Sequence, residues 1–169
     1  MNVIIFGPPG AGKGTQAQYI AKQFNLYQIS TGDLLRSEIK KKTTIEKEIE
    51  SIISEGNFAT DEIVNTLLDK IIKNPVYKNR IIFDGYPRNI AQSENLETIL
   101  SKDNQSINAV LYLKVSRDII EKRIVGRIIC EKCNKTFNEF FSQKEEIESH
   151  SCGKKYFKKR KDDNLTTII

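Results

Sequence analysis

The chain has 169 residues, 38% hydrophobic and 29% charged, with a net charge of +5. That is enough chain for one sizeable core and an ordinary globular composition, while no apolar run approaches the ~20 residues of a membrane span and the N-terminus lacks the charged flank and long apolar stretch of a signal peptide. The lysines are scattered, with small clusters at 40–42 and 154–161 among acidic or polar residues, which reads as a solvated surface and argues against nucleic acid or membrane as a partner.

A short apolar strand at 2–6 opens the chain, and Gly7-Pro8-Pro9-Gly10-Ala11-Gly12-Lys13-Gly14-Thr15 leads from it into a helix expected over 15–24. Glycines let the backbone bend around a phosphate, so that N–H groups and the helix's positive end face the charge. Lys13 then places a cation near the outer phosphates of a nucleotide. Strand, loop, lysine and helix stand in the order a phosphate-binding loop requires. One position departs from the general motif: Gly14 stands where Ser or Thr would offer a hydroxyl to Mg2+, and Thr15 comes one residue later.

A second strand at 27–30 ends in Ser30-Thr31-Gly32-Asp33-Leu34-Leu35-Arg36, with a helix expected over 32–41. Asp33 suits a helix start, and Arg36, one turn in, can reach an anion above the sheet. Helices at 45–54 and 61–73 follow, then a strand at 80–83 that runs into Phe83-Asp84-Gly85-Tyr86-Pro87-Arg88-Asn89. Ligands of open α/β sheets bind at the carboxyl ends of strands, and a strand-terminal Asp beside a phosphate loop is the usual place to hold Mg2+, often through water. Gly85 gives the backbone clearance and Arg88 a phosphate clamp. A helix at 89–101, a strand at 109–114 and a helix at 117–125 complete the alternation, which implies an α/β fold whose parallel sheet is covered on both faces.

The segment 128–159 breaks this rhythm and reads as a small inserted lobe. Asp162-Asp163 reads as one more helix start, only about two turns before Ile169, so the domain is expected to continue past that residue. Arginine use is informative throughout. Arg36, Arg80, Arg88, Arg117, Arg123, Arg127 and Arg160 are the only arginines among 27 basic residues, and guanidinium grips phosphate with a planar fork that ammonium lacks. Five of them fall inside motifs, which points to phosphate handling.

The loop Gly-x-Pro-Gly-x-Gly-Lys-Gly-Thr together with Phe83–Asn89 resembles the nucleoside monophosphate kinases, adenylate kinase above all, and the resemblance runs from residue 1 to about 167. It implies a P-loop nucleoside triphosphate hydrolase-like three-layer fold. The core would take 1–29, 60–126 and 161–169, an AMP-binding helical insert 30–59, and a zinc-ribbon-like lid 127–160. It implies phosphoryl transfer from MgATP to AMP giving two ADP, by a monomer. ATP would meet Gly10, Ala11, Gly12, Lys13, Gly14, Thr15, Arg123, Arg127, Thr136 and Phe137. AMP would meet Thr31, Arg36, Asn57, Phe58, Ala59, Gly85, Tyr86, Pro87, Arg88, Gln92 and Arg160. Lys13, Asp84, Arg88, Arg127 and Arg160 would carry the catalysis. Without the resemblance, Gln92 reads as an ordinary exposed helix residue and Arg160 as part of a charged helix start. The family's last strand and helix, and one more phosphate arginine, would lie past residue 169. The alternative is therefore a nucleotide-binding fragment without turnover; a kinase for UMP, CMP or shikimate and a zinc-ribbon nucleic-acid binder fit the motifs less well.

Zinc-bearing lids of this family carry a second ligand pair 16 residues after the first. Here Cys130-x2-Cys133 is followed at that distance by His150 and, after one residue, Cys152. His-x-Cys departs from the family spacing, yet three thiolates and an imidazole form a standard structural Zn2+ set. The chain's single His and all three Cys fall in this lobe. The other reading is a metal-free lobe whose cysteines are small buried hydrophobes. The Cys-x-x-Cys pair suits a reducing compartment, so a cytoplasmic protein is expected.

Overall fold

Strand β1 (Asn2–Phe6) lies inside a sheet with β2 (Tyr27–Ser30), β3 (Ile81–Asp84) and β4 (Ile107–Tyr112) in the order β2-β3-β1-β4. Every pairing is parallel. The computed structural model describes residues 1–40, 61–160 and 163. The helix expected at 45–54, and Asn57, Phe58 and Ala59, lie outside them.

Alternation along the strands sends successive side chains to opposite faces. Val3, Ile5 and Ile82 pack on one face against Ala17, Ile20 and Ala21 of α1 (Lys13–Phe24). Ile4, Ile29, Ile81 and Phe83 pack on the other against α2 (Thr31–Lys40), α3 (Asp61–Ile72) and α4 (Ile90–Lys102). Helix α3 supplies Val64, Leu68 and Ile72 to that face, a stripe at four-residue spacing. Each such side chain, fully buried, contributes about 1.5–3 kcal/mol.

Helix α1 starts two residues before the expected 15. Gly12 is left-handed at φ 91°, so the chain turns there and Lys13 and Gly14 enter the first helical turn. At its other end Asn25 takes the left-handed cap (φ 52°). The Arg80 guanidinium holds that cap, donating from Nε to the Asn25 carbonyl at 2.9 Å and from Nη2 to Asn25 Oδ1 at 2.5 Å. Arg80, outside every phosphate motif, is thus a structural arginine. Strand β3 ends on Asp84 rather than Phe83 because Asp84 pairs in register with Ile5 and Ser30. Strand β4 runs 107–112 against the expected 109–114, since its pairing with β1 begins at Asn2↔Ile107, with an irregularity before Val3. Among the described residues β4 is an edge strand, and Val110, Leu111 and Tyr112 on it are 58%, 37% and 69% exposed.

The chain divides into two compact units, Met1–Gly7 with Gly12–Leu113 and Pro8–Ala11 with Lys114–Ile169. The sheet above is the first. The second contains α5 (Arg117–Val125), β5 (Arg127–Cys130), β6 (Thr136–Asn138), α6 (Lys144–Glu148) and β7 (Phe157–Lys158). Its three strands form an antiparallel sheet in the order β6-β5-β7. By contacts α5 belongs to the second unit. Gly126 caps α5 where no Cβ fits. An added methyl would sit 2.6 Å from the Phe140 ring, 2.8 Å from Asn138 Oδ1 and 2.9 Å from the Lys122 carbonyl. Among the described residues no helix is long and apolar enough to cross a membrane.

Candidate functional site

In the first unit, β1, β2 and β3 each end in one of the motifs. Beyond β1, Gly10 and Gly12 take φ 78° and 91°, a region that favours glycine. Lys13, in the first turn of α1, donates from Nζ to the Gly7 carbonyl at 2.8 Å. Its ammonium is thereby folded back over the start of its own loop. Thr15, the third residue of the helix, is exposed.

Asp84 closes β3 with its carboxylate buried. Burial pushes its pKa up; the nearby Lys13 charge and a hydrogen bond from Gln28 pull the other way. Gln28 Nε2 lies 3.2 Å from Asp84 Oδ2 and 3.5 Å from the Gly14 carbonyl. Gly14 leaves room beside this pair, since a Cβ there would stand 3.4 Å from Asp84 Oδ2.

Thr31, Gly85 and Arg88 form a second group. The Gly85 carbonyl accepts from Thr31 Oγ1 at 2.9 Å and from Arg88 Nε at 2.7 Å. Gly85 has φ 79°, and a Cβ would meet both Thr31 Oγ1 and Arg88 Nη2 at 3.2 Å. Only glycine suits that backbone and that space. Gln92 is buried, not the exposed helix residue its sequence context alone suggested. Its backbone N–H donates to the Asn89 side chain, and its own Oε1 accepts from the Arg88 N–H, both at 2.7 Å. This is a reciprocal cap on α4. Gln92 Nε2 donates to Asp61 Oδ1 at 2.6 Å. Tyr86 and Pro87 are buried too, and the Tyr86 hydroxyl bonds Asn65 and Asn95. Arg36 lies on α2.

The second unit holds the remaining residues. Arg123 donates from Nη1 to the Ala11 carbonyl at 2.9 Å, and its guanidinium lies 5.9 Å from the Phe141 ring centre. Arg127 pairs with Asp163 at 3.3 Å, and Arg160 follows β7, half-buried. Thr136 is exposed on β6, whereas Phe137 turns inward, its ring 5.0 Å from His150 and 5.3 Å from Phe157. The Phe137 ring is therefore part of the lobe's small core, as alternation from an outward Thr136 requires.

Cys130, Cys133, His150 and Cys152 come together, with one ligand atom from each all within 4.8 Å of one another. Cys133 Sγ and His150 Nε2 are 3.4 Å apart. Burial opposes ionisation of Cys130, but hydrogen bonds from the Cys133 backbone, His150 and the Lys132 backbone outweigh it and bring its pKa down to about 6. Cys152 goes the other way, raised by burial and by its neighbours Cys133 and Cys130. A set of three thiols and one imidazole this close suits a tetrahedral metal, and the lowered pKa of Cys130 favours the thiolate, the form that ligates.

A family model described as adenylate kinase matches residues 5–167. The chain belongs to the adenylate kinase family. It is 60% identical over 169 residues to an adenylate kinase of Pelagibacter ubique (strain HTCC1062), covering 100% of this chain and 79% of that protein. An adenylate kinase of Rickettsia africae (strain ESF-5) is 40% identical over 169 residues, 99% of this chain and 78% of its own length. One of Zymomonas mobilis subsp. mobilis (strain ATCC 31821 / ZM4 / CP4) is 38% identical over 170 residues, with 99% and 76% covered.

Neither motif reading nor the adenylate kinase resemblance singled out Gln28 or Asp61. Asn89-x-x-Gln92 carried a usable signal, because a polar cap followed three residues later by Gln marks a reciprocal cap. Gln28 stands two residues before Ser30 on one strand face, which signals proximity to the strand end but not its partner.

Proposed function

We propose that this chain catalyses reversible phosphoryl transfer from MgATP to AMP, giving two ADP. The observation that carries this reading is the grouping of Lys13, Asp84, Thr31, Gly85 and Arg88 beyond the carboxyl ends of neighbouring parallel strands, in a chain of the adenylate kinase family. An AMP phosphate oxygen attacks the terminal phosphorus of ATP, and the bond from that phosphorus to the bridging oxygen breaks. No side chain acts as nucleophile. The residues position the reactants and stabilise charge. Glycine-rich backbone from Gly10 to Thr15 cradles the ATP phosphates, and Lys13 meets the charge that moves between them. Thr31, Arg36, Arg88 and Gln92 hold AMP, with Tyr86 and Pro87 shaping the backbone that carries Arg88. Residues 57–59 border the base in this reading. In the second unit Arg123, Arg127 and Arg160 are the guanidinium groups assigned to ATP and the transferred phosphate, with Thr136 and Phe137 beside the nucleotide.

Asp84 fits Mg2+, a hard cation that takes oxygen ligands, being a buried carboxylate beside a helix start where no Cβ intrudes. When bound, the ion neutralises phosphate charge. The thiol-rich donor set Cys130, Cys133, His150 and Cys152 fits Zn2+, all four positions being protein ligands, so the ion would be structural and the unit around it a zinc-ribbon-like lid on a P-loop core. Thiols of this kind also suit a reducing, cytoplasmic setting.

The test is ADP formation from ATP and AMP with Mg2+, with CMP and UMP as competing acceptors. AMP-dependent turnover is expected, and Lys13→Met is expected to lower kcat by about 100-fold or more. Transfer to CMP or UMP in preference to AMP, or no turnover with bound ATP and AMP, would overturn the reading.

A further inference from the structure

We infer that Gln28 is a positioning residue for Asp84, tying its carboxylate to the backbone of Gly14 at the start of α1. The inference rests on the assignment of Asp84 to Mg2+ above.

Pairing of β2 with β3 sets Gln28 beside Ile82 and Ser30 beside Asp84. These four residues share one sheet face, the one on which Ile82 packs with Ala17 of α1. On that face Gln28 is the neighbour of Asp84 along the strand direction, below the carboxylate and pointing at the start of α1. A glutamine amide has two N–H donors on one nitrogen. Gln28 directs Nε2 to Asp84 Oδ2 at 3.2 Å and, more weakly, to the Gly14 carbonyl at 3.5 Å. Both partners are acceptors, so the amide presents its nitrogen and ties strand β3's last carboxylate to the first turn of α1. That link engages Oδ2 of Asp84 and restrains the carboxylate's rotamer.

The backbone of Gly14 is the amide's second partner, and a Cβ there would stand in ordinary contact, 3.4 Å from Asp84 Oδ2 and 4.0 Å from Gln28 Nε2. Groups that orient a metal's ligand matter on the scale of about 10- to 100-fold in affinity or activity.

The experiment titrates Mn2+, followed by electron paramagnetic resonance, into protein saturated with a non-hydrolysable ATP analogue, and measures affinity for the same analogue without metal. Gln28→Met, which keeps length and loses both donors, is expected to weaken Mn2+ by about tenfold and leave metal-free nucleotide affinity unchanged. Asp84→Asn is expected to weaken Mn2+ at least as much. The double variant should be no weaker than Asp84→Asn alone, because Gln28 acts only through that carboxylate. Parental Mn2+ affinity in Gln28→Met, or a double variant in which the two losses multiply, overturns the inference while leaving Asp84 its role. Parental affinity in Asp84→Asn overturns the Mg2+ assignment itself. If Gln28→Met does not fold, Gln28→Asn, one methylene shorter, carries the same expectation.

Discussion

Asp84 carries its charge where solvent is nearly excluded, and the direction of its pKa gives a testable sign. Burial raises it above the usual carboxylate value, with Lys13 and Gln28 only partly opposing. A group with a raised folded pKa binds its proton more tightly in the folded state, so stability falls as pH rises from the unfolded carboxylate pKa, near 4, through the folded one. Above that window the full penalty is present. Asp84→Asn should therefore melt at a higher temperature than the parent at pH 7, and the gap should close as the pH is taken below about 4, while AMP-dependent turnover is lost. A melting curve for Asp84→Asn below the parent's at pH 7 would reject this account. Arg88 poses a different question, because its Nε is already committed to the Gly85 carbonyl. A lysine there keeps the charge but not a fork that can bind backbone and phosphate together. Arg88→Lys should raise the KM for AMP by about tenfold, the scale of one charge-assisted hydrogen bond, with the KM for ATP little changed in steady-state kinetics.

Elements show where the sequence was readable and where it was not. Gly126 joins α5 to β5 under the Phe140 ring, and the clash distances there are too short for a side chain. Gly126→Ala should destabilise the second unit by about 1–3 kcal/mol, measured by denaturant unfolding, with β1 to β4 unaffected in hydrogen exchange. The alternation of short apolar strands with helices was enough to imply the parallel sheet, and the glycine-rich loop identified its own position. What stayed illegible depended on partners distant in sequence. That β3 runs one residue past the expected Phe83, to include Asp84, is decided by register with Ile5 and Ser30. The Phe137 ring is drawn inward by His150 and Phe157, residues 13 and 20 positions on, a packing no local pattern specifies. The Gln28–Asp84 contact spans 56 positions, and no local pattern could disclose it.

At the scale of the molecule, two units with separate cores imply two separable responses. The Cys/His cluster brings β5 together with the turn around His150, and with zinc held there as proposed the second unit would lean on its ligands where the first leans on buried isoleucine and leucine. Metal analysis should find about one zinc per chain, since such sites contribute folding energy directly. A chelator should strip hydrogen-exchange protection from 127–158 while β1 to β4 keep theirs; simultaneous loss in both units would show that the cluster does not act locally. Unfolding curves read by different probes should then fail to coincide once metal is removed. The edge strand β4 sets a limit of another kind. Among the described residues its outer row of peptide groups and its exposed Val110, Leu111 and Tyr112 offer an apolar template for edge-to-edge pairing. Handling at high concentration should therefore end in haze that starts from this strand, and Val110→Lys should raise the concentration at which light scattering first appears.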